Sequence, residues 1–184
     1  AVDASTINVL RPVAPGENVV QVGEDIRSGE LVVPAGHVVR PQDISGLLAI
    51  GILELPVARK PRVAIVSTGD ELVPPDRPPG PGQVRDINTY TIAALVEGSG
   101  GVANAVALVD DDYEAQHAAA LEGLAGGDLL VFSAGSSFSS RDMTAQVLGG
   151  LGAPGVLVHG ISIKPGKPTI VALVDGKPAF GLPG

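Results

Sequence analysis

The sequence predicts an α/β fold: a doubly wound, mostly parallel sheet over residues 56–184, preceded by a small β-rich partial module and connector helix in residues 1–55. Three observations carry this expectation. Short apolar runs rich in β-branched residues, Val63–Val66, Val102–Val109, Leu129–Phe132 and Val156–Ile163, alternate with the helix-compatible stretches Thr89–Glu97, Tyr113–Leu124 and Thr144–Leu151. That alternation is the pattern of a parallel sheet covered on both faces. The chain closes on Ile170–Val174, Asp175-Gly176 and Lys177–Phe180, and an Asp-Gly pair between two apolar runs marks a tight hairpin. Thirdly, the character of the chain changes near Pro56–Pro61.

Before that boundary, Asn18–Val22 and Leu31–Val33 read as short β-type runs, separated by the turn-forming Arg27-Ser28-Gly29-Glu30 and Pro34-Ala35-Gly36. Pro41-Gln42-Asp43 opens an apolar helical stretch through Leu47, Leu48 and Ile50, which Gly51 ends. Beyond it, Pro74–Pro81 reads as a stiff spacer or a mobile lid.

Composition narrows the function classes. The chain has 184 residues, of which 45% are hydrophobic, so it can bury a core without staples. It has no cysteine, which excludes disulfides, thiolate metal sites and a cysteine nucleophile, and points to a reducing, cytoplasmic setting. A net charge of −8 argues against a general nucleic-acid surface. Aromatics are confined to Tyr90, Tyr113, Phe132, Phe138 and Phe180, too few for a base-stacking platform. The longest apolar run, near Leu47–Leu53, is far short of the roughly 20 residues of a membrane span. The N-terminus has neither an initiator Met nor a basic-then-apolar leader, so the expectation is a fragment without a signal peptide.

In an open α/β sheet, ligands bind outside the carboxyl ends of the strands. Five polar or glycine-rich loops follow the apolar runs: Ser67–Leu72, Asp110–Asp112, Ser133–Ser137 with Arg141-Asp142, Lys164–Pro168, and Gly181–Gly184. Small residues at Ser133–Ser137 let backbone N–H groups approach an anion beside a helix start, although an ordinary strand-to-helix turn has the same composition. The Gly-Lys-Ser/Thr ending of a Walker A loop is missing. Lys164 and Lys167, two of only four lysines, share one proline-stiffened loop that suits either solvent or a phosphate. Glu71, Asp111 and Asp142 are oxygen donors of the kind that hold Mg²⁺ beside a phosphate, or else helix caps and solvated carboxylates; Asp111 and Asp112 precede a helix at Tyr113. His37, His117 and His159 lack ligand spacing, and no serine has the Gly-x-Ser-x-Gly elbow of a hydrolase.

Taken in order, Arg62–Leu72, Asp86-Ile87-Asn88, the Ser133–Asp142 loop, Lys164–Pro168 and Gly181–Gly184 resemble the molybdopterin molybdenumtransferase family, of MoeA or gephyrin E-domain type, from about Arg11 to the end. The resemblance implies a MogA-like molybdopterin-binding sheet domain. It also implies insertion of molybdate into adenylylated molybdopterin, with release of AMP and a divalent cation, Mg²⁺. By position it places Glu71, Asp111 and Asp142 around the metal and the reacting groups. It places Thr68, Gly69, Ser133, Gly135, Ser136, Ser137, Lys164, Gly166 and Lys167 around the pterin substrate and its phosphates. A homodimer, an upstream molybdopterin adenylyltransferase, and no membrane or nucleic-acid partner are implied as well. Two departures stand out. Ser133-Ala134-Gly135 replaces the usual Ser-Gly-Gly, and Arg141-Asp142-Met143-Thr144 looks more like the related molybdopterin adenylyltransferases of MogA type. The alternatives are therefore an adenylyltransferase using Mg-ATP, or a non-catalytic molybdopterin-binding sensor domain.

Overall fold

The structure is a computed structural model describing residues 5–134 and 138–183. The chain divides into two units, Ala1–Val57 and Ala58–Gly184, each described by itself.

Within residues 5–57 the one regular element is α1 (Pro41–Ala49), started by Pro41 in its first turn and by the Asp43 carboxylate, which accepts from the Arg40 backbone N–H and guanidinium. The β-type runs expected at Asn18–Val22 and Leu31–Val33 form no strands. A strand needs a partner for its backbone groups, and here those groups close locally instead. Glu17, Glu24 and Glu30 each donate their N–H back to the carbonyl three residues earlier, across a glycine of positive φ (Gly16, Gly23, Gly29). Each glutamate carboxylate then accepts from the N–H of that same residue, Ala14, Gln21 or Arg27. The result is a repeated self-sealed turn with glycine where left-handed backbone is required.

The second unit is a six-stranded sheet in the order β4-β1-β5-β8-β7-β6, with a two-stranded β2-β3 pair beside it. The strands are β1 (Arg62–Thr68), β2 (Leu72–Val73), β3 (Val84–Arg85), β4 (Val102–Val109), β5 (Leu129–Ala134), β6 (Pro154–His159), β7 (Ile170–Val174) and β8 (Lys177–Pro183). The helices are α2 (Asn88–Gly98), α3 (Tyr113–Gly126) and α4 (Phe138–Gly150). β4, β1, β5 and β8 are parallel, while β7 runs antiparallel to both β8 and β6.

Helices cover both faces. Ala64, Val66, Leu130 and Phe132 meet Ala119, Ala120 and Leu124 of α3 and Val147 and Leu148 of α4 on one side. Val63, Ile65 and Val131 meet Ile92, Ala93 and Val96 of α2 on the other. Burial on both sides explains why β1 and β5 read as continuous apolar runs. Gly123 permits the closest approach: a Cβ there would lie 2.9 Å from that of Ala64. At the amino edge, Arg59 grips Asp128 with two hydrogen bonds of 2.5 Å, and the Arg62 N–H donates to the same carboxylate. Lys177 closes the far end of α3 by donating to the carbonyls of Leu124 and Gly127.

Two expected boundaries move. α4 begins at Phe138 rather than Thr144, because nothing between Phe138 and Met143 breaks a helix. β6 ends at His159 rather than Ile163, because Gly160 turns the chain at φ +94° and its N–H donates to the Thr169 carbonyl. The Asp175-Gly176 turn forms as expected, both residues at positive φ in the mirror-image geometry that matches strand twist.

Candidate active site

The carboxyl ends of the parallel strands stand in register. Thr68 of β1 aligns with Val109 of β4 and Ala134 of β5, and Ala134 aligns with Pro183 of β8. The β6–β7 loop leaves from the same edge, since His159 aligns with Ile170 and Ile170 with Gly181. β1 connects through α2 to β4 on one side, and β4 returns through α3 to β5 on the other. The point where the strand order reverses therefore lies between β1 and β5, where open sheets of this kind bind ligands.

The edge is electrically asymmetric. At its β1/β4 end, the Gly69 N–H donates to the Val109 carbonyl at 3.1 Å, and the Asp111 N–H donates to Asp70 Oδ1 at 2.9 Å. These bonds hold the two acidic loops together. Gly69 sits at φ +150°, a conformation that strains any side chain, and without a Cβ it leaves the half-buried Glu71 carboxylate lying against bare backbone. Burial, then the charges of Asp70, Glu71 and Asp110, push the Asp111 carboxyl above its ordinary range. Asp111 Oδ1 is buried with no hydrogen-bond partner. The same holds for Thr68 Oγ1 and for Gln116 Oε1 on α3. Asp112, not Asp111, caps α3, accepting from the Ala115 N–H at 2.9 Å.

At the other end of the edge, Lys164 and Lys167 are exposed on the β6–β7 loop, without an ion pair among the described residues. Gly166 makes that loop's turn at φ +103°, its carbonyl accepting from both the Thr169 N–H and hydroxyl. Ser133 is buried within β5, between Ser67 and Leu182 in register. Gly135, Ser136 and Ser137 lie outside the described residues, as does the side chain of Asp142. Among the described residues no three His, Asp or Glu side chains form a ready metal cluster, and no helix is long and apolar enough to cross a membrane. The structure thus brings Thr68, Gly69, Glu71 and Asp111 together at β1/β4, and sets Lys164, Gly166 and Lys167 at the β6–β7 end of the same edge.

Residues 64–184 match the family described as the probable molybdopterin binding domain. The chain belongs to that family. Residues 2–51 match the MoeA N-terminal region, domains I and II. It is 36% identical over 179 residues to the molybdopterin molybdenumtransferase of a Nostoc species, covering 96% of this chain and 41% of that protein. It is 33% identical over 184 residues to molybdopterin molybdenumtransferase 2 of Mycobacterium tuberculosis, covering 97% and 45%. It superimposes on a molybdopterin biosynthesis moeA protein from Pyrococcus horikoshii with a TM-score of 0.74 at 32% identity, covering 96% of this chain and 42% of that one. The chain therefore spans less than half the length of these relatives.

Sequence reasoning assigned no role to three residues of this domain. Asp70 holds the Asp111 loop, a role that adjacency to Glu71 concealed. Gln116 is wholly buried and donates to the Asp110 carbonyl at 3.4 Å; its place on the inward stripe with Ala119, Ala120 and Gly123 was the available signal. Asp86 is also buried. It accepts from the Thr89 N–H at 3.1 Å and from the Ser67 hydroxyl at 3.4 Å, and the Asp-x-x-Thr spacing at a helix start was the sign of it.

Proposed function

We propose that this chain is the molybdopterin-binding part of an enzyme that inserts molybdate into adenylylated molybdopterin and releases AMP. One observation carries the reading. A carboxylate group at the β1/β4 end and a lysine loop at the β6–β7 end flank the reversal point of a sheet whose relatives include molybdopterin molybdenumtransferases. A pyrophosphate needs donors, and Lys164 and Lys167 are cationic donors that this edge offers.

The carboxylates fit a divalent cation such as Mg²⁺. Asp111 carries an orphaned buried oxygen and is crowded by Asp70, Glu71 and Asp110, a repulsion that a hard cation relieves. Glu71 and Asp111 would hold the ion, with Asp142 as third ligand. When bound, it supplies Lewis-acid polarisation of the phosphoanhydride. The chain's own residues do the rest. Gly69 lets Glu71 lie against the strand end, Asp70 and Gln116 hold the Asp111 loop in place, and the two lysines keep the anionic substrate on the edge. The same reading includes a homodimer, a cytoplasmic location, and a molybdopterin adenylyltransferase as the upstream source of substrate.

The test uses the intact gene product with Mg²⁺ and two mixtures. Molybdate-dependent AMP release from adenylylated molybdopterin is expected. Pyrophosphate release from molybdopterin and ATP alone would instead make Arg141-Asp142-Met143-Thr144 the truer signal, and pterin binding without turnover in either mixture would leave a sensor domain.

A further inference from the structure

Asp70 stands beside Glu71 and, by residue type alone, would count as one more ligand for a cation. Its hydrogen bonding points elsewhere. Asp70 Oδ1 accepts from the Asp111 N–H at 2.9 Å, across 41 residues of chain. At the other end of the same peptide group, the Asp110 carbonyl accepts from Gln116 Nε2 at 3.4 Å and from the Asp112 N–H at 2.8 Å. The Asp110–Asp111 peptide is thus gripped at its N–H by the loop after β1 and at its carbonyl by α3. A planar group held from both ends resists rotation as a unit, so the direction in which Asp111 leaves the loop is set. Only its side-chain torsions remain for a carboxylate whose Oδ1 is buried without a partner.

Gln116 shows that the grip is kept at some cost to the fold. Its side chain is fully buried, on the inward stripe of α3 with Ala119 and Ala120, and its Oε1 has no hydrogen-bond partner among the described residues. Burying an amide oxygen in that state costs free energy that an apolar side chain of similar length would avoid. What the glutamine adds is its bond to the Asp110 carbonyl. On the opposite side, the Gly69 N–H bond to the Val109 carbonyl at 3.1 Å draws the loop after β1 onto the end of β4, and Asp70 follows directly. We propose that Asp70 and Gln116 are positioning residues that clamp the Asp110–Asp111 peptide and so aim the Asp111 carboxylate, Asp70 serving as a hydrogen-bond acceptor and not as a ligand or a charge. The proposal rests on the cation-holding role given to Asp111 above. Mg²⁺ demands near-ideal octahedral geometry, and a ligand ordered in advance spares the cost of ordering it on binding.

The experiment uses the full chain, with Mn²⁺ alone as the probe and the free ion counted by its paramagnetic resonance signal. Exchange of the Asp111 amide is followed by NMR in the metal-free protein alongside. Asp70→Asn keeps an acceptor oxygen and removes the charge, whereas Asp70→Ala removes both. Asp70→Ala is expected to weaken Mn²⁺ binding about tenfold and to speed Asp111 exchange about tenfold, and Asp70→Asn to recover both to within about threefold of wild type. Gln116→Met should weaken Mn²⁺ binding about threefold while raising the melting midpoint, opposite signs that a merely structural residue does not produce. Equal losses of Mn²⁺ binding in Asp70→Asn and Asp70→Ala would make Asp70 a ligand or a charge and overturn the proposal. An Asp111 amide indifferent to Asp70→Ala would overturn it too, and a midpoint lowered by Gln116→Met would overturn the α3 half of the clamp. Failure of the wild type to bind Mn²⁺, with Asp111 exchange still lost in Asp70→Ala and recovered in Asp70→Asn, would remove the cation role and keep the clamp.

Discussion

Side-chain ties within residues 7–57 reach six positions along the chain at most, as in Arg11–Glu17 and His37–Asp43, whereas Arg59 and Asp128 in the second unit are 69 apart. Burial follows the same division. Among the described apolar residues before Ala58, Leu47 alone is buried, and Ile7, Leu10, Val22 and Leu53 stand in solvent; the sheet buries Ile65, Val66, Leu130 and Phe132 completely. Both units contain β-branched runs, yet only one makes strands. Propensity becomes structure where a second run supplies the missing backbone partners, and turns sealed by their own glutamates form without one.

The contrast can be broken most forcefully in the core. Phe132→Ala should cost about 3–5 kcal/mol and collapse the main calorimetric transition, while Leu47→Ala should leave that transition in place. Next come the site carboxylates. Glu71→Gln and Asp111→Asn should each lower turnover of the intact enzyme by about 10²–10³-fold in steady-state assays. In metal-free protein Asp111→Asn should nonetheless raise the melting midpoint at neutral pH, by a few degrees at most on the order-of-magnitude scale for a domain this size. The sign follows from linkage. A carboxyl whose folded pKa lies above its unfolded one destabilises the fold when ionised, so the gain should fade as pH falls toward the unfolded carboxylate range. A midpoint lowered at neutral pH would contradict this.

Asp128→Asn runs the opposite way. Hydrogen bonds from Arg59 and from the Arg62 backbone hold the Asp128 carboxyl far below its usual range, so the wild type is stabilised above the unfolded carboxylate pKa near 4 and loses that support as pH falls further. Melting curves of variant and wild type should differ at pH 7 and converge in acid. The smallest effect belongs to the first unit. Gly29→Ala meets no steric obstacle but is held at φ +85°, costing about 1 kcal/mol locally. Faster proteolysis near Arg27 with an unchanged main transition is the expected readout.

Most of the sheet was legible because its strands are buried on both faces and bounded by glycine and polar loops, as Arg62–Thr68 shows. The start of α4 was not, since Phe138–Met143 carries no stop signal in either direction. Asn18–Val22 misled because a β-branched run looks the same with or without a partner. At the site, Glu71 and Asp111 could be placed by the rule that ligands gather at strand ends. Gln116 and Asp86 carried signals of their own, the inward stripe of α3 and the Asp-x-x-Thr spacing, but those signals equally mark an ordinary core residue and a helix cap.

The central claim, that the chemistry belongs to the carboxyl edge of the second unit, is tested most directly by hydrogen exchange on the intact protein with and without adenylylated molybdopterin. New protection at the amides of Gly69–Glu71, Asp110–Asp112 and the Lys164–Lys167 loop is predicted. A bound substrate that leaves all three loops exchanging at their free rates would contradict it.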